Sequence, residues 1–525
     1  MAEHDYVVVG AGSAGCVLAN RLSADPSVRV LLLEAGGSDR NMNVRIPIGF
    51  AKQFRTDLDW AYTAEPDPNL IGRSMYLPRG RCLGGSSSMN AMIYMRGHRH
   101  DYDTWASELG APGWSYDDVL PVFKRSEANT RLGEPYHGRD GELAVTDPVW
   151  VSKLAQRFVA AASQAAGVPV TDDFNGAEQD GASVVQVTQR RGRRWSAADA
   201  FLHPVRERPN LEVRTGAQVR RIVVEDGRAT GVQTLDGAVE RARQEVVVCA
   251  GAYNSPQLLM LSGIGPADHL REVGVEPVLD QPHVGAHLQD HPMATLTFQC
   301  PEALTLFDAT HPRYLVEYLL RRGRGKLTSN VGEAGCFARV APDTPAPDFY
   351  LYFGPAYYFD NGFRTFPGHA FTIAPSLVRP RSEGAVRLRS ADPRDPPAIH
   401  LNFLSTREEM DAMVAAVRLA REIAGTAPLS HSTGANIDPG PGVASAEQLE
   451  AWIRAEVQHV YHAGCTCRMG PEDAGVLDEQ LRVRGVEGLR VADASIFPVA
   501  PRANTNFPVM MAAEKIASAI ARADT

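Results

Sequence analysis

The segment VYHAGCTCRMG, residues 460–470, places His462, Cys465 and Cys467 within six positions. These residue types suit three kinds of chemistry: metal ligation, a redox dithiol, or proton abstraction by the histidine with the cysteines as small packing residues. The C-x-C spacing is poor for zinc and the other cysteines are isolated, which disfavours the metal and thiol interpretations. A neutral imidazole, whose ordinary pKa is about 6.5, is a suitable base at neutral pH.

A second chemical pattern lies at the start of the chain, where GAGSAG supplies Gly10, Gly12 and Gly15 in G-x-G-x-x-G spacing. Such a turn brings backbone N–H groups and a helix N-terminus to a pyrophosphate. Glu34 follows Gly15 by 19 residues, where a carboxylate accepts hydrogen bonds from the hydroxyls of an adenosine ribose. The carboxylate argues against a 2′-phosphate and so against NADP, while FAD and NAD both remain open at this stage.

These residues need particular elements to position them. Val7–Val9 read as a buried strand, SAGCVLANRLSAD has helical spacing, and VRVLLLEAG reads as a second buried strand. Strand, turn, helix and strand form a βαβ unit, which predicts a parallel sheet. From residue 211 the chain alternates like antiparallel strands with Asp-Gly turns, and EVVVCAG (245–251) reads as another buried strand.

Further along, helices are predicted from Trp150 to Gly167, over 406–425, and near Pro508 to the C-terminus. The middle of the chain has a different texture, with short strands and Pro-rich loops, and suggests a second domain. Its segment GPAYYFDNGF (354–363) is consistent with an apolar pocket lining and equally with a surface loop.

Bulk properties narrow the function classes. The chain has 525 residues and a formal net charge of −9, so we expect two or more domains, or one very large α/β unit, and no nucleic-acid partner. The basic run QRRGRR (Arg190, Arg191, Arg193, Arg194) reads as a solvated loop. Seven scattered cysteines imply no disulfide framework, and the N-terminus has no signal-peptide pattern. We therefore expect a cytoplasmic protein with no transmembrane segment, for which peripheral membrane contact stays open.

Four further stretches carry a family resemblance: RGRCLGGSSSMNAMIYMRG (79–97), VGAHLQDHP (284–292), GAYNSPQLLMLSGIG (251–265) and VADASIFPVAPRANTNFPVMMAAEKIA (491–517). Together with the glycine-rich turn they resemble the signatures of the glucose–methanol–choline (GMC) oxidoreductase family, in order and over nearly the whole chain. Among subgroups the sequence looks closest to choline-dehydrogenase-like and alcohol dehydrogenases.

The resemblance implies an α/β fold in which a Rossmann-type FAD-binding domain is joined to an α+β substrate-binding domain with an antiparallel sheet and helices. We expect the FAD-binding domain over 1–155, 190–300 and 460–525, and the substrate-binding domain over 156–189 and 301–459. The implied FAD-contacting residues are Gly10, Gly12, Ser13, Ala14, Gly15, Glu34, Ala35, Gly84, Gly85, Ser88, Asn90, Ala91, Met92, Val219, Ala250, Gly251, Asp493, Ala494, Asn504, Thr505 and Asn506.

The resemblance also assigns the catalytic pair, His462 and Asn504, to the reactive side of the flavin. Met89 occupies the place of the histidine that carries the family's covalent flavin link, so we expect non-covalent FAD. The positive end of the helix near Pro508 is expected to favour the anionic reduced flavin. His287, His291 and Tyr461 read as structural residues, and Trp60 reads equally as a cavity neighbour or as core.

The expected function is the oxidation of a primary alcohol to the aldehyde, with hydride passing to flavin N5 and the proton to His462. Electrons then pass to oxygen or to a quinone or carrier protein. An aliphatic or benzylic alcohol is favoured over choline, because no trimethylammonium cage is evident. Choline oxidation and a non-redox, hydroxynitrile-lyase-like reaction on the same fold remain alternatives, and the oligomeric state is open.

Overall fold

The computed structural model describes residues 3–340 and 343–523. Within them the helices are α1 to α11 in chain order: Ser13–Leu22, Met42–Arg45, Arg99–Ser107, Tyr116–Ser126, Lys153–Ala166, Gly251–Leu261, Ala267–Glu272, Pro312–Leu320, Arg407–Gly425, Ala446–Glu456 and Asn506–Ala523. The helices predicted from the sequence are α1, in the βαβ unit, and α5, α9 and α11 further along the chain. The left-handed Gly167 (φ 65°) ends α5 as expected, and α11 begins two residues before Pro508.

The first sheet is a seven-stranded α/β sheet built around the predicted βαβ unit. Its strands, in spatial order, are Leu211–Thr215, Val30–Glu34, His4–Val9, Val239–Val248, Arg228–Thr234 and Val219–Glu225, with Leu489–Val491 paired beside Val239–Val248. Val30–Glu34 and His4–Val9 are parallel and fully buried, with α1 crossing between them, as the sequence predicted.

One strand of this sheet differs from the expectation. Leu211–Thr215 pairs in parallel with Val30–Glu34 and extends the nucleotide-binding sheet, whereas its alternating sequence indicated an antiparallel strand. The alternation of apolar and polar residues indicates only that one face of the strand is partly exposed. Whether the strand pairs in parallel or antiparallel depends on the strand that lies beside it. The antiparallel part begins afterwards, with the hairpin of Val219–Glu225 and Arg228–Thr234 around Asp226-Gly227.

The second sheet is antiparallel. It contains the strands Asn436–Asp438, Leu296–Gln299, Ala370–Leu377, Phe349–Gly354, Ala334–Ala338, Gly181–Val184, Pro292–Met293 and Gln458–His459. Helices α5 and α9 pack against it and against each other, which gives the expected α+β layer. Two predicted boundaries are corrected: residues 292–299 belong to this sheet although the first domain was drawn to 300, and α5 crosses the boundary at 155/156.

Within the described part of the chain, no helix combines the length and the apolar character needed to cross a bilayer.

The glycine-rich turn is held by a very close contact between strand and helix. A Cβ built on Gly15, in the first turns of α1, would lie 1.9 Å from the carbonyl oxygen of Gly10. The backbone at Gly10 cannot move away from such a methyl group without moving the first strand, and that strand is buried between two others. The contact therefore sets the distance at which α1 starts from the sheet.

We expect Gly15→Ala to lower the free energy of unfolding by about 3 kcal/mol or more, since the added methyl overlaps backbone. Gly37→Ala is the matched control, because a Cβ there meets nothing within 4 Å, and it should change stability by less than about 0.5 kcal/mol. Urea unfolding followed by circular dichroism measures both. Equal midpoints for the two variants would contradict the close contact.

Candidate active site

A single cavity runs from the glycine-rich turn to His462. At one end lie Gly10, Gly12 and the buried Glu34 carboxylate. Glu34 accepts hydrogen bonds from the backbone N–H groups of Ala11 (2.9 Å) and Gly36 (2.8 Å), which fixes its side chain at the end of its strand. Burial, partly offset by these two bonds, raises the pKa of Glu34 to about 7. A ribose hydroxyl is a neutral donor from which this buried carboxyl group can accept a hydrogen bond.

The floor of the cavity is a crossing of two glycine loops. A Cβ on Gly85 would lie 2.7 Å from the Cα of Gly12, so the loop 84–88 touches the first turn directly. A Cβ on Gly12 itself would come no closer than 4.0 Å to any atom, and Gly12 lines the cavity. The backbone of Gly12 is therefore open to a ligand, as a phosphate-binding glycine requires.

Two helix N-termini open into the same cavity. Ser13 begins α1 and Asn506 begins α11, and the Ser13 hydroxyl donates to Oδ1 of Asn506 (2.6 Å). Both residues, with Asn504 and Thr505, line the cavity. The unpaired N–H groups of a helix N-terminus carry partial positive charge, so this part of the cavity suits an anionic group.

Asp493 holds a third helix start in place. Its Oδ2 accepts from the backbone N–H of Gly251, the first residue of α6, and from the Ser255 hydroxyl, while Oδ1 accepts from the N–H of Ser495 (2.8 Å). Asp493 is buried and lines the cavity beside Ala494.

At the other end of the cavity, both ring nitrogens of His462 have partners. Nε2 lies 3.1 Å from Nδ2 of Asn504, and Nδ1 lies 3.0 Å from Nδ1 of His291. Because the Asn504 amide donates, it assigns the lone pair of His462 to Nε2 and the proton to Nδ1. The Nε2 lone pair, which accepts from the Asn504 amide, thus faces the residue predicted to hold the substrate oxygen, which is the orientation that a general base needs.

A buried carboxylate fixes the backbone of this histidine. Oδ1 of Asp290 accepts from the backbone N–H groups of His462 and His291, each at 2.8 Å. Arg79 approaches the other oxygen to 3.9 Å and donates to the carbonyl of Tyr461 at 3.0 Å. Tyr461 itself has φ 70°, a left-handed conformation that is costly for a bulky residue. The surrounding bonds maintain this bend and so aim His462 into the cavity.

Its surroundings keep the His462 imidazole uncharged. Burial first, and then the neighbouring His291 and Arg79, hold the pKa of His462 well below its ordinary value. Burial likewise lowers the pKa of His291 to about 4. Burial, partly offset by Arg79, raises the pKa of Asp290 to about 6. His462 is therefore a neutral, proton-accepting imidazole at neutral pH.

The wall around His462 is apolar and aromatic. One cluster contains Phe50, Phe54, Met89 and Tyr358, and another contains Met293, Ala374 and Val460 with Tyr352. All of these residues line the cavity, and the Tyr358 hydroxyl lies 2.7 Å from the Tyr461 hydroxyl. Among the described residues, the carboxylates that line the cavity are Glu34 and Asp493, which belong to its glycine-turn and α6 side.

Most of the predicted cofactor residues line this cavity. Three do not, and each has a packing role instead. Gly15 packs on Gly10 as described above. Gly84 (φ 84°) makes the turn beneath the loop, and the fully buried Ser88 donates to the carbonyl of Leu83 at 2.8 Å. A glycine-rich motif therefore predicts where a loop lies, but it does not separate the residues that face the ligand from those that face the core.

Several structural interpretations from the sequence are also corrected. His291 and Tyr461 belong to the site, whereas His287 pairs with Glu383 (2.6 Å) and His283 away from the cavity lining. Trp60 and Tyr358 line the cavity, which favours the lining interpretation for both.

The basic run 190–194 is not uniformly solvated. Arg194 is 3% exposed and donates to the carbonyls of Val44 and Ser87 and to Oδ1 of Asn90. Burial lowers the pKa of Arg194 to about 9. It holds the loop that carries Asn90, and its sequence neighbours gave no sign of this.

The two cysteines of the opening segment are buried and unpaired, as the packing interpretation expected. They do not lie in a strand: Cys465 has φ 71° and its thiol faces Gln289, with Sγ 3.6 Å from Oε1. His462 faces Asn504 and His291 instead. Among the described residues, the side chains that come close enough together for metal ligation are those of Asp39, Asp199 and His203. This group does not include His462, Cys465 or Cys467.

The functional residues that sequence reasoning missed are Arg79 and Asp290, together with the cavity wall of Phe50, Phe54, Met293 and Tyr352. Arg79 and Asp290 lie within quoted family segments, so those segments were the available signal. Nothing local marks Phe50 or Tyr352, since each lies in an ordinary apolar stretch far from residue 462 in the chain.

Comparison with known proteins agrees with this geometry. Two sequence profiles, both described as GMC oxidoreductase, match residues 4–293 and 380–513. The chain is 42% identical to an alcohol dehydrogenase [acceptor] of Pseudomonas putida, with 99% of this chain and 96% of that protein covered. It is also 42% identical to the mitochondrial choline dehydrogenase of Mus musculus, covering 99% and 89%. The crystal structure of pyridoxine 4-oxidase from Mesorbium loti superposes with a TM-score of 0.91 at 32% identity, covering 99% of each chain.

The chain belongs to the GMC oxidoreductase family and is an FAD-dependent oxidoreductase that acts on alcohol-type substrates. The residues present fit FAD: the open backbone at Gly12 and the two helix N-termini suit a pyrophosphate, and Glu34 suits a ribose. The neutral imidazole of His462 lies at the far end of the same cavity.

Because Asp290 satisfies two buried backbone N–H groups, we expect Asp290→Ala to lower the free energy of unfolding by about 2–4 kcal/mol. Asp290→Asn keeps the accepting oxygen and serves as the matched control, with a smaller loss expected. Urea unfolding of the FAD-loaded protein measures both. A loss as large for asparagine as for alanine would show that charge, and not the two backbone bonds, is what the site needs.

Proposed function

We propose that this protein oxidises a neutral, apolar primary alcohol, aliphatic or benzylic, to the aldehyde. The observation that carries the proposal is the His462–Asn504 pair at the end of a cavity whose wall there is mainly apolar and aromatic, with Arg79 as a charged side chain of the lining. When bound, FAD supplies the hydride acceptor. The chain's own residues supply the base, the orientation of the alcohol and the exclusion of water.

The steps assigned to the protein follow from the geometry. Nε2 of His462 carries the lone pair and takes the hydroxyl proton of the substrate. When the alcohol binds, the Asn504 amide, which lies 3.1 Å from that nitrogen, donates to the substrate oxygen in place of Nε2 and fixes the direction of the hydroxyl. Nδ1 of His291 accepts a hydrogen bond from the Nδ1–H of His462 and so holds the ring in the tautomer whose Nε2 carries the lone pair. As the alkoxide character grows, the imidazolium formed and the Asn504 amide both stabilise it.

The nature of the wall argues for the substrate class. Phe50, Phe54, Tyr358 and Met89 offer dispersion contacts to an alkyl chain or a ring. A quaternary ammonium would also contact aromatic faces, but the described lining offers it no carboxylate near His462. Choline is therefore the second candidate, supported by the choline dehydrogenase among the relatives.

Two further parts of the proposal concern partners and place. Electrons pass on to oxygen or to a quinone-type acceptor, as the alcohol dehydrogenase [acceptor] and the oxidase among the similar proteins each suggest. We also propose a cytoplasmic location, because all seven cysteines are buried and unpaired, as suits a reducing compartment.

The decisive experiment is anaerobic mixing of the FAD-loaded protein with benzyl alcohol, a medium-chain primary alcohol and choline, while flavin absorbance is followed. We expect bleaching by the two neutral alcohols and much slower bleaching by choline. His462→Ala should slow bleaching by roughly two to four orders of magnitude, with His287→Ala as the histidine control. Because its pKa is depressed, His462 stays unprotonated below pH 6.5, so the acid loss of rate should begin well below that pH.

If choline bleached the flavin as fast as the neutral alcohols do, choline oxidation would become the proposed function instead. A flavin that no alcohol bleaches would favour a non-redox reaction of the hydroxynitrile-lyase kind. Admission of air or of a quinone after bleaching then identifies the acceptor, because the one that is used restores the absorbance.

We also propose that FAD is bound without a covalent link. Met89, at the position where the family's covalent histidine is expected, presents a thioether within the apolar cluster of Phe50 and Phe54. Acid precipitation of the protein should therefore release all flavin into the supernatant, as measured by its absorbance. Yellow colour retained in the washed pellet would contradict the proposal.

A further inference from the structure

Helix α8 exposes an unusual amount of apolar surface. On its outer side Leu319 is 60% exposed, Leu320 is 78% exposed and Val316 is 53% exposed. Leu315 of the same helix is also exposed, at 37%. Only Tyr318 of this helix is buried, in a small cluster with Leu306, Ala309 and Leu327. Four large apolar side chains on nine helical residues are more than a solvated helix needs.

Arginines from two distant parts of the chain surround this helix. Arg321, Arg322 and Arg324 follow it directly, and Arg190, Arg191 and Arg193 come from the hairpin at 189–194; all six are exposed. The hairpin touches the helix, since the Tyr318 hydroxyl donates to the Gly192 carbonyl at 3.1 Å. It also touches the next loop, because a Cβ on Gly192 would lie 1.9 Å from the Gly323 carbonyl oxygen.

This positive charge is largely uncompensated. Arg321 pairs with Glu317 at 2.7 Å, but within the described residues the other five arginines have no ion-pair partner. The chain as a whole carries a formal net charge of −9, so the concentration of arginine here opposes the general charge of the protein. We call the exposed face of α8 together with these six arginines the α8 surface.

We propose that the α8 surface docks on an anionic lipid bilayer. Leucines on one helix side suit insertion at the boundary between headgroups and acyl chains, and flanking arginines suit contact with anionic headgroups. A protein partner of matching chemistry would need an apolar groove with an acidic rim to receive this helix, whereas a bilayer offers an apolar interior beneath an anionic surface to any exposed row of apolar side chains. Charge and apolar surface together therefore favour a bilayer.

The docking places the substrate cavity close to the bilayer. Beneath α8, its cluster includes Ile46, Ile48 and Val331. Val331 and Phe50, just beyond Ile48, line the cavity. A bilayer against α8 would thus lie over one wall of the cavity, within reach of an alcohol or an electron acceptor dissolved in lipid. The docking itself does not rest on the identity of the alcohol.

The test is flotation of the FAD-loaded protein with vesicles. We expect binding to vesicles of equal parts phosphatidylcholine and phosphatidylglycerol, little binding to phosphatidylcholine alone, and weakening with added salt. The variants Leu319→Glu/Leu320→Glu and Arg322→Glu/Arg324→Glu should each lower the partition coefficient at least about tenfold. The matched controls are Val170→Glu/Val278→Glu for exposed apolar residues and Arg29→Glu/Arg418→Glu for exposed charge, and both should bind like the wild type.

Two independent variant pairs keep the result interpretable if one fails to fold, and unchanged unfolding midpoints identify the folded ones. Wild-type binding that is absent, or that persists in both α8 variants, overturns the proposal. Sedimentation that shows a dimer, dissociated by Leu319→Glu/Leu320→Glu in a protein that ignores vesicles, would assign the surface to a second copy of the chain instead.

Discussion

The site depends on keeping one imidazole buried, uncharged and directed. His462 is removed from water, and the positive guanidinium of Arg79 is close enough to disfavour a second positive charge. Burial alone would leave its polar atoms unsatisfied, so His291 and Asn504 engage the ring and Asp290 engages the backbone. Each partner is itself buried or held, and the requirement for a neutral base thus extends through several layers of the protein.

The same constraint explains why the two sheets meet where they do. His462 follows the strand Gln458–His459 of the antiparallel sheet, while Asn504 precedes α11, whose N-terminus meets that of α1 beside the glycine-rich turn. His462 lies just after a strand of one sheet, and the glycine-rich turn belongs to the other sheet. The two can therefore share a cavity only if it runs between the sheets. The arrangement separates the backbone groups and Glu34, which we propose bind the nucleotide, from the aromatic side chains that we propose contact the substrate.

Local pattern was a reliable guide where one short segment decides the outcome. The βαβ unit, the helices α5 and α9 and the turn at Asp226-Gly227 follow from apolar spacing, capping residues and turn chemistry within a few residues. Pattern failed where a neighbour decides. The direction of Leu211–Thr215 depends on the strand beside it, and the burial of Arg194 depends on carbonyls of two other segments.

The sequence by itself determined the nucleotide-binding turn and the α/β class and, through the family's motifs, it predicted His462 and Asn504 as the catalytic pair. Only the tertiary structure decided what surrounds them. Arg79, Asp290 and His291 lie about 170 residues or more from His462 along the chain, yet they fix its direction and its charge. The reason is physical: a pKa and a hydrogen bond depend on distance in space, and periodicity along a chain carries no information about distant segments. For the same reason, only the tertiary structure shows that two arginine runs, distant in the chain, lie together beside α8.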